Sequence, residues 1–121
     1  VNHTHPEYAT MLTSFLGHTR ADAVLMRGTE GEPVADPRRA PRLDVFIDGH
    51  PRHDLSRAAV DGVLTELPVL PRSHDATTTA VYIQSVVSGE KPAPAPLTQQ
   101  VECLMNALGA IGRAAPQEQS A

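Results

Sequence analysis

A short polar stretch at residues 27–33 combines residue types that bind phosphate and a divalent cation. It reads Arg-Gly-Thr-Glu-Gly-Glu-Pro and directly follows an apolar run at 23–26. Glycines let backbone N–H groups approach a phosphate closely, and Mg²⁺ binds one or two carboxylates together with phosphate oxygens. A solvated turn is the commoner structure for such a loop taken alone. The functional interpretation predicts phosphate binding by Gly28, Thr29 and Gly31, and Mg²⁺ binding by Glu30 and Glu32.

Three arginines, Arg38, Arg39 and Arg42, form the tightest basic cluster in the chain. Guanidinium groups bind nucleic-acid phosphates, and each contact adds to a salt-dependent affinity. Asp36 and Asp44 flank the cluster, and acidic residues outnumber arginines in the surrounding sequence. The pattern therefore leaves two alternatives open, which are phosphate contacts and a solvated loop whose charges are balanced locally.

The other residues that could carry chemistry point to structural roles. Two histidine pairs lack a Cys or carboxylate partner at zinc spacing, so surface or capping roles are predicted for them. These pairs are His3 with His5 and His50 with His53. Cys103 lies near an apolar helical row and is predicted to be a small core residue. The chain has no nucleophile motif, and no catalytic residue is predicted.

Helix and strand signals along the chain predict an α/β fold. Apolar periodicity predicts helices near 6–20, 76–88 and 97–111, and strands near 23–26 and 43–47. A brief strand at 34–35 and a short helical piece near 55–59 are also expected.

Local signals mark the ends of these elements. Thr4 and Glu7 have the spacing of a capping box at the first helix. Asp75 is the predicted N-cap of the second helix. The Asp48-Gly49 pair predicts a tight turn that ends the second strand.

Each predicted helix carries a row of apolar side chains that we expect to face the core. The rows are Tyr8, Met11, Leu12, Phe15 and Leu16 in the first helix, Ala80, Ile83, Val86 and Val87 in the second, and Leu97, Val101, Leu104, Leu108 and Ile111 in the third.

Composition limits the class of protein. With 121 residues, of which 40% are apolar and 20% charged, the chain has one globular domain's worth of sequence. The formal charge of −4 gives the chain as a whole no electrostatic attraction to nucleic acid or anionic membrane. One cysteine fits a reducing, cytoplasmic setting. No apolar run approaches the roughly 20 residues of a membrane span, and no signal peptide is evident, so no membrane partner is expected.

A resemblance to a known family rests on residues 24–33. These residues closely resemble the strand-and-loop signature of anthranilate phosphoribosyltransferase-like proteins, in glycosyltransferase family 3, and are most similar to the branch described as DNA-binding proteins. The same class is matched by His5-Pro6-Glu7-Tyr8 at the start of a helix, by Asp36-Pro37-Arg38-Arg39 after the loop, and by residues 83–90. The resemblance covers roughly residues 1–110 in the expected order.

The resemblance implies a phosphoribosyltransferase-type (nucleoside phosphorylase/phosphoribosyltransferase) α/β domain with a central, mostly parallel sheet flanked by helices. Residues 1–112 would be its C-terminal part, and 113–121 a disordered tail. Family members are much longer, and their glycine-rich loop for phosphoribosyl pyrophosphate comes earlier in the sequence. The chain is therefore expected to be a fragment of a longer parent protein.

Two functions follow from the resemblance. The closer branch implies nonspecific nucleic-acid binding by a parent protein, as a homodimer, with Arg38, Arg39 and Arg42 as this segment's contacts. The alternative is a Mg²⁺-dependent phosphoribosyltransferase that acts on an aromatic amine or a nucleobase. Anthranilate phosphoribosyltransferases carry an adjacent Asp-Glu pair for Mg²⁺ in this loop, whereas here a glycine separates Glu30 from Glu32. A fragment with no activity of its own is the third alternative.

Overall fold

A computed structural model describes residues 1–28 and 32–114 of the chain. The elements are β1 (Asn2–His3), α1 (Glu7–His18), β2 (Ala23–Arg27), β3 (Leu43–Ile47), β4 (His50–Pro51), α2 (Ala76–Val87) and α3 (Ala95–Ala114). The predicted tail at 113–121 begins inside α3, and residues 115–121 lie outside the described part. Within the described ranges, no helix is both long enough and apolar enough to cross a membrane.

The four strands form one mixed sheet in the order β1-β2-β3-β4, so the chain has the α/β fold predicted for it. β1 and β2 are parallel and are joined through α1, whereas β2–β3 and β3–β4 are antiparallel. The mostly parallel pairing that we expected is therefore wrong for this part of a sheet. The reason is that no crossover helix is described between β2 and β3, and a direct return of the chain pairs strands antiparallel.

The sheet is covered on both faces. On one side, Leu25 of β2 and Phe46 of β3 pack with Leu16 of α1. On the other side, alternate residues of the same strands pack with α3. This larger cluster contains Met26, Ala35, Leu43, Val45, Ile47, Cys103, Ala107 and Ala110. Both predicted strands, and Leu43, Val45 and Ile47 on one face of β3, are confirmed.

A corner at one end of the sheet joins the end of α1 to the β3–β4 turn. Asp48 and Gly49 have φ angles of 51° and 76°, the two left-handed positions that a tight Asp-Gly turn requires. A Cβ on Gly49 would lie 2.7 Å from the Gly17 carbonyl oxygen, so no other residue fits there. Arg20 donates two hydrogen bonds to the Asp48 carboxylate, at 2.8 and 2.7 Å. The predicted turn is confirmed.

The ends of the helices differ from one another in how they are capped. The capping box predicted for α1 is wrong, because Pro6 occupies the N-cap position and no side chain caps the helix. The Thr4 hydroxyl instead makes a 2.9 Å hydrogen bond with His5 Nδ1. Asp75 is confirmed as the N-cap of α2, where its carboxylate accepts from the Thr78 N–H at 2.8 Å.

Two further expectations about the connections are wrong. No strand forms at 34–35, because the Ala35 N–H is bound by the side chain of Gln100 in α3 rather than by a neighbouring strand. No helix forms at 55–59. There the backbone of Arg57 exchanges two hydrogen bonds with Leu43, so the segment extends along the start of β3 instead of coiling.

Much of the apolar surface that we expected to be buried faces outward. In α1, Leu16 is buried and Leu12 partly so, but Tyr8, Met11 and Phe15 are exposed. In α3 the side turned to the sheet carries the small residues Cys103, Ala107 and Ala110. The exposed apolar side chains of α2 and α3 are Val81, Ile83, Val87, Val101, Leu104, Met105 and Leu108. Small side chains let the backbone of α3 lie close to the sheet. The side of α3 with small residues therefore faces the sheet, and the side with large apolar residues faces outward.

Candidate phosphate-binding site

The polar residues singled out in the sequence collect at one end of the sheet. The carboxyl ends of β1 and β2 lie at the same edge because these strands are parallel, and β3 starts there because it runs antiparallel to β2. We call this end the carboxyl edge. It comprises residue 3, which ends β1, and residues 4–5, which follow it. It also includes residues 27–28, 32 and 36–42. Ligands of open α/β sheets bind outside the carboxyl ends of parallel strands.

Gly28 sits where the chain leaves β2 and passes close to Glu32. Its N–H donates to the His3 carbonyl at 2.8 Å, which extends the β1–β2 pairing by one step. A Cβ at this position would lie 2.6 Å from the Glu32 carbonyl oxygen, so any other residue would push the backbones of residues 28 and 32 apart. Of the three predicted phosphate-binding residues, Gly28 is the described one, while Thr29 and Gly31 lie outside the described residues.

The predicted metal ligands are described only in part, since Glu30 is also outside the described residues. Glu32 is exposed, and its backbone carbonyl accepts a hydrogen bond from the Asn2 side-chain amide at 2.9 Å. Residues 1–28 and 32–114 contain no group of three His, Cys, Asp or Glu side chains that could enclose a metal ion. Metal binding by Glu30 and Glu32 stays a prediction.

The arginine cluster is partly neutralised from within. Arg38 is bonded to Asp36 at 3.1 Å, and Arg42 to Asp44 at 2.9 Å. The guanidinium of Arg38 holds the pKa of the Asp36 carboxyl below its ordinary value. Arg39 is exposed and forms no ion pair with any described carboxylate. Arg42 thus directly precedes β3, Arg38 and Arg39 lie in the segment that leads to it, and the three arginines have unequal freedom to bind an anion.

Two residues at this edge were not predicted as site residues. Arg27 ends β2, is exposed, and forms no ion pair among the described residues. His3 is its register partner on β1. His3 was assigned a surface or capping role, and its Nδ1 does bond locally, to the His5 carbonyl at 2.9 Å. The proximity of His3 and Arg27 could not be predicted from their separation in the sequence, because only the pairing of β1 with β2 brings them together.

Gln100 of α3 holds the backbone at Pro33 and Ala35, where the chain leaves the loop. Its side-chain oxygen accepts from the Ala35 N–H at 2.8 Å, and its side-chain nitrogen donates to the Pro33 carbonyl at 2.9 Å. Gln100 is buried, so these bonds satisfy a polar group that water does not reach. The segment after residue 31 is therefore held between Asn2 on one side and α3 on the other.

Cys103 is the buried core residue that we predicted. Its thiol lies 3.6 Å from the Leu55 carbonyl oxygen, to which it donates weakly. Burial raises the pKa of the Cys103 thiol, and the nearby charge of Arg57 opposes this effect. A thiol with a raised pKa is a poor nucleophile at neutral pH, so Cys103 belongs to the packing of α3 and not to the site.

No protein-family model matches the chain. Over 106 residues the chain is 36% identical to YbiB, an uncharacterized protein of Escherichia coli K12. The match takes in 88% of this chain and 32% of that protein, so the chain spans about a third of the length of the relative it matches.

Proposed function

We propose that this chain is the C-terminal part of an anthranilate phosphoribosyltransferase-like protein of the DNA-binding branch, and that the parent protein binds nucleic acid through its phosphates. The observation that supports the proposal is the placement of four arginines at the neighbouring ends of β2 and β3 and in the segment that connects them, the segment that also carries the loop on which the family resemblance rests. Three of them are the predicted cluster, and the fourth is Arg27.

Sheet register brings two of these arginines to neighbouring strand ends. Met26 pairs with Leu43, so the next pair outward along the antiparallel ladder is Arg27 with Arg42. Arg38 and Arg39 lie in the loop that connects these strands. Phosphate contacts from such residues give affinity without base specificity. The parent protein is accordingly expected to bind unrelated nucleic-acid sequences with similar affinity.

The charge balance indicates which arginines matter most. Asp36 and Asp44 already neutralise Arg38 and Arg42, whereas Arg27 and Arg39 form no ion pair within 4.0 Å with a carboxylate of residues 1–28 and 32–114. The charge of Arg39 nevertheless contributes to the lowered pKa of Asp36. A paired guanidinium must share or give up its carboxylate to bind a phosphate. We therefore assign the main nucleic-acid contacts of this segment to Arg27 and Arg39, with Arg38 and Arg42 as weaker contributors.

The alternative function is a Mg²⁺-dependent phosphoribosyltransferase, and Gly28 is the observation that favours it. A Cβ on Gly28 would lie 2.6 Å from the Glu32 carbonyl oxygen, so glycine lets these two backbone positions approach closely where the predicted phosphate-binding stretch begins and ends. Glu32 is exposed and, together with Glu30, would supply carboxylate ligands to Mg²⁺, which stabilises a departing pyrophosphate. The glycine between these acids separates the chain from the adjacent Asp-Glu pair of anthranilate enzymes.

Other expectations belong to the same proposal. A cytoplasmic setting suits a protein whose one cysteine is a buried thiol. A homodimer is what the DNA-binding branch implies. The exposed apolar row of α3, at Val101, Leu104 and Leu108, offers surface for further protein contacts.

The experiment that separates the two functions uses the full-length parent protein. Fluorescence anisotropy with two oligonucleotides of unrelated sequence is measured from about 50 to about 200 mM salt, over which phosphate-driven binding weakens steeply. Pyrophosphate release is followed in parallel with phosphoribosyl pyrophosphate, Mg²⁺ and a panel of aromatic amines and nucleobases. We expect similar, salt-sensitive affinity for both oligonucleotides and no turnover. Turnover without binding at the lowest salt would replace the proposal with the transferase.

A further inference from the structure

We propose that His3 and Arg27 together form a phosphate-binding pair at the carboxyl edge, and that His3 contacts the phosphate only in its protonated form. The inference rests on the proposed function, which it refines by making phosphate recognition dependent on pH. The ligand chemistry is a phosphate oxygen, which a nucleic-acid backbone and free pyrophosphate both supply.

Strand register places the two residues side by side. His3 and Arg27 are partners in the parallel β1–β2 ladder, in which neighbouring strands lie about 4.8 Å apart. Partners in such a ladder point to the same face of the sheet. Leu25, two residues before Arg27, packs with Leu16 of α1. Both His3 and Arg27 therefore lie on the α1 side, at the end of the sheet.

A hydrogen bond determines which ring nitrogen of His3 is available. His3 Nδ1 lies 2.9 Å from the His5 carbonyl oxygen. A carbonyl only accepts, so Nδ1 carries the proton and Nε2 of the neutral ring is an acceptor. An unprotonated Nε2 repels a phosphate oxygen, whereas Nε2–H of the imidazolium donates to it. Phosphate binding at His3 thus requires a second proton on the ring.

The neighbouring groups set the direction of the coupling. Arg27 of β2 is the positive neighbour. In the β1–α1 turn, His5 is bonded through its Nδ1 to the Thr4 hydroxyl, and Glu7 is the acid of the first turn of α1. A protonated His3 would place a second positive charge beside that of Arg27. A bound phosphate offsets both charges, so binding takes up a proton.

The sign of the pH dependence follows from this coupling. A phosphate raises the pKa of His3 in the complex relative to the free protein. Affinity should therefore be higher at acidic pH, where the imidazolium form of a histidine is favoured, and should fall toward basic pH. Each unit by which the pKa rises allows at most about a tenfold change in affinity.

The test measures oligonucleotide binding by the full-length protein at constant ionic strength, from pH about 5.5 to about 8, across the histidine range. The variants are His3→Gln and, as a matched control, His18→Gln. His18 also bonds through Nδ1 to a carbonyl, that of Ser14 at 2.8 Å, but at the opposite end of α1. Wild type and His18→Gln should bind about threefold to tenfold more tightly at the acidic end. His3→Gln should lose most of that gain and match wild type at the basic end.

A second measurement uses inorganic pyrophosphate as the probe. The imidazole NMR signals of the wild-type protein are titrated with pH in its presence and absence, and the His3 signal is identified by its loss in His3→Gln. We expect pyrophosphate to raise the pKa of His3 and to leave that of His18 unchanged. This arm needs no variant to fold as well as wild type.

The outcomes separate the inference from the proposed function. If oligonucleotides bind but His3→Gln keeps the full pH response, the inference is overturned and nucleic-acid binding stands. If no oligonucleotide binds while pyrophosphate still raises the pKa of His3, the phosphate pair stands and the transferase becomes the better function. If neither probe affects His3, the pair does not exist.

Discussion

The side chain of Gln100 accepts a hydrogen bond from the Ala35 backbone N–H across 65 residues of sequence, at 2.8 Å. The same amide donates to the Pro33 carbonyl, so both of its polar atoms are used. Gln100 and Ala35 are both buried. The C-terminal helix thereby fixes the outgoing side of the loop that carries the family resemblance, which makes α3 part of the site's support.

Replacing Gln100 with Ala is expected to destabilise the fold by about 1–3 kcal/mol, because the buried Ala35 N–H would lose its partner. Urea unfolding should show a lower midpoint with an unchanged slope. Gln99→Ala is the control, since the Gln99 side-chain oxygen has no hydrogen-bond partner in the described part of the chain. Equal losses in the two variants would mean that the Gln100 bonds contribute nothing specific.

The sequence predicts the helices and strands but not this contact between Gln100 and Ala35. Both central strands and all three helices lie near their predicted positions, because the apolar periodicity that predicts them is a local signal. A glutamine inside a helix looks the same whether it faces solvent or binds a distant backbone. The contact depends on how α3 lies across the sheet, and no local pattern encodes that.

The orientation of α3 gives a second prediction. Ala107 is buried against the sheet, whereas Leu108 is 61% exposed. Ala107→Leu should cost about 1–3 kcal/mol, because the added volume has no space to enter. Leu108→Ala should change stability by no more than about 0.5 kcal/mol. Thermal or urea unfolding of both variants checks the ranking, and the reverse ranking would restore the orientation that periodicity predicted.

The misplaced apolar rows have a physical explanation. α3 is apolar on two sides, one built from Cys103, Ala107 and Ala110 and the other from longer side chains such as Leu104. A prediction from apolar periodicity gives most weight to large side chains, so it predicts that the side with the longer residues is buried. Packing distance decides differently, because small residues allow close contact with β3. The site is equally hard to predict from local patterns, because strand pairing and not sequence spacing brings His3 next to Arg27.

The N-cap of α2 gives a prediction about pH. Hydrogen bonds from Ser73, from the Thr78 N–H and from the Thr78 hydroxyl lower the pKa of Asp75 to about 2. A lowered pKa means that the charged cap stabilises the fold above the unfolded value of about 3.9 and that this is lost as the pH falls through 2.

Melting temperatures of wild type and Asp75→Ala should therefore differ fully at neutral pH and converge toward pH 2. Asp75→Asn should lie between them at neutral pH, since a side-chain amide oxygen still accepts from a backbone N–H. A difference that persists undiminished at pH 2 would show that the charge of Asp75 is not what stabilises α2.

The exposed apolar side of α3 predicts how the 121-residue chain behaves alone. Val101, Leu104, Met105 and Leu108 form a continuous apolar row in water, and such rows drive association. Size-exclusion chromatography with light scattering should detect concentration-dependent self-association. Leu104→Lys with Leu108→Lys should reduce it while leaving the melting temperature nearly unchanged. A wild-type chain that stays monomeric at high concentration would contradict the expectation.

The arginines provide the most direct test of nucleic-acid binding. In the full-length protein, Arg39→Ala should lower affinity for unrelated sequences equally and flatten the salt slope by about one unit, as expected for one lost phosphate contact. Arg42→Ala should change the slope by less, because Asp44 already balances that charge at 2.9 Å. Arg20→Asn is the control for loss of one positive charge. Arg20 lies at the opposite end of the sheet with φ near 52°, a conformation that Asn tolerates.

Comparing these variants distinguishes an effect of the protein's net charge from a direct contact between an arginine and a phosphate. If binding depended only on net charge, all three substitutions would weaken it alike, since each removes one positive charge. If Arg39 contacts phosphate directly, its slope changes while that of Arg20→Asn does not. An effect of Arg42→Ala as large as that of Arg39→Ala would mean that Arg42 leaves Asp44 when nucleic acid binds. No change in slope for Arg39 or Arg42 would assign both to a solvated loop and move the binding surface to another part of the parent protein.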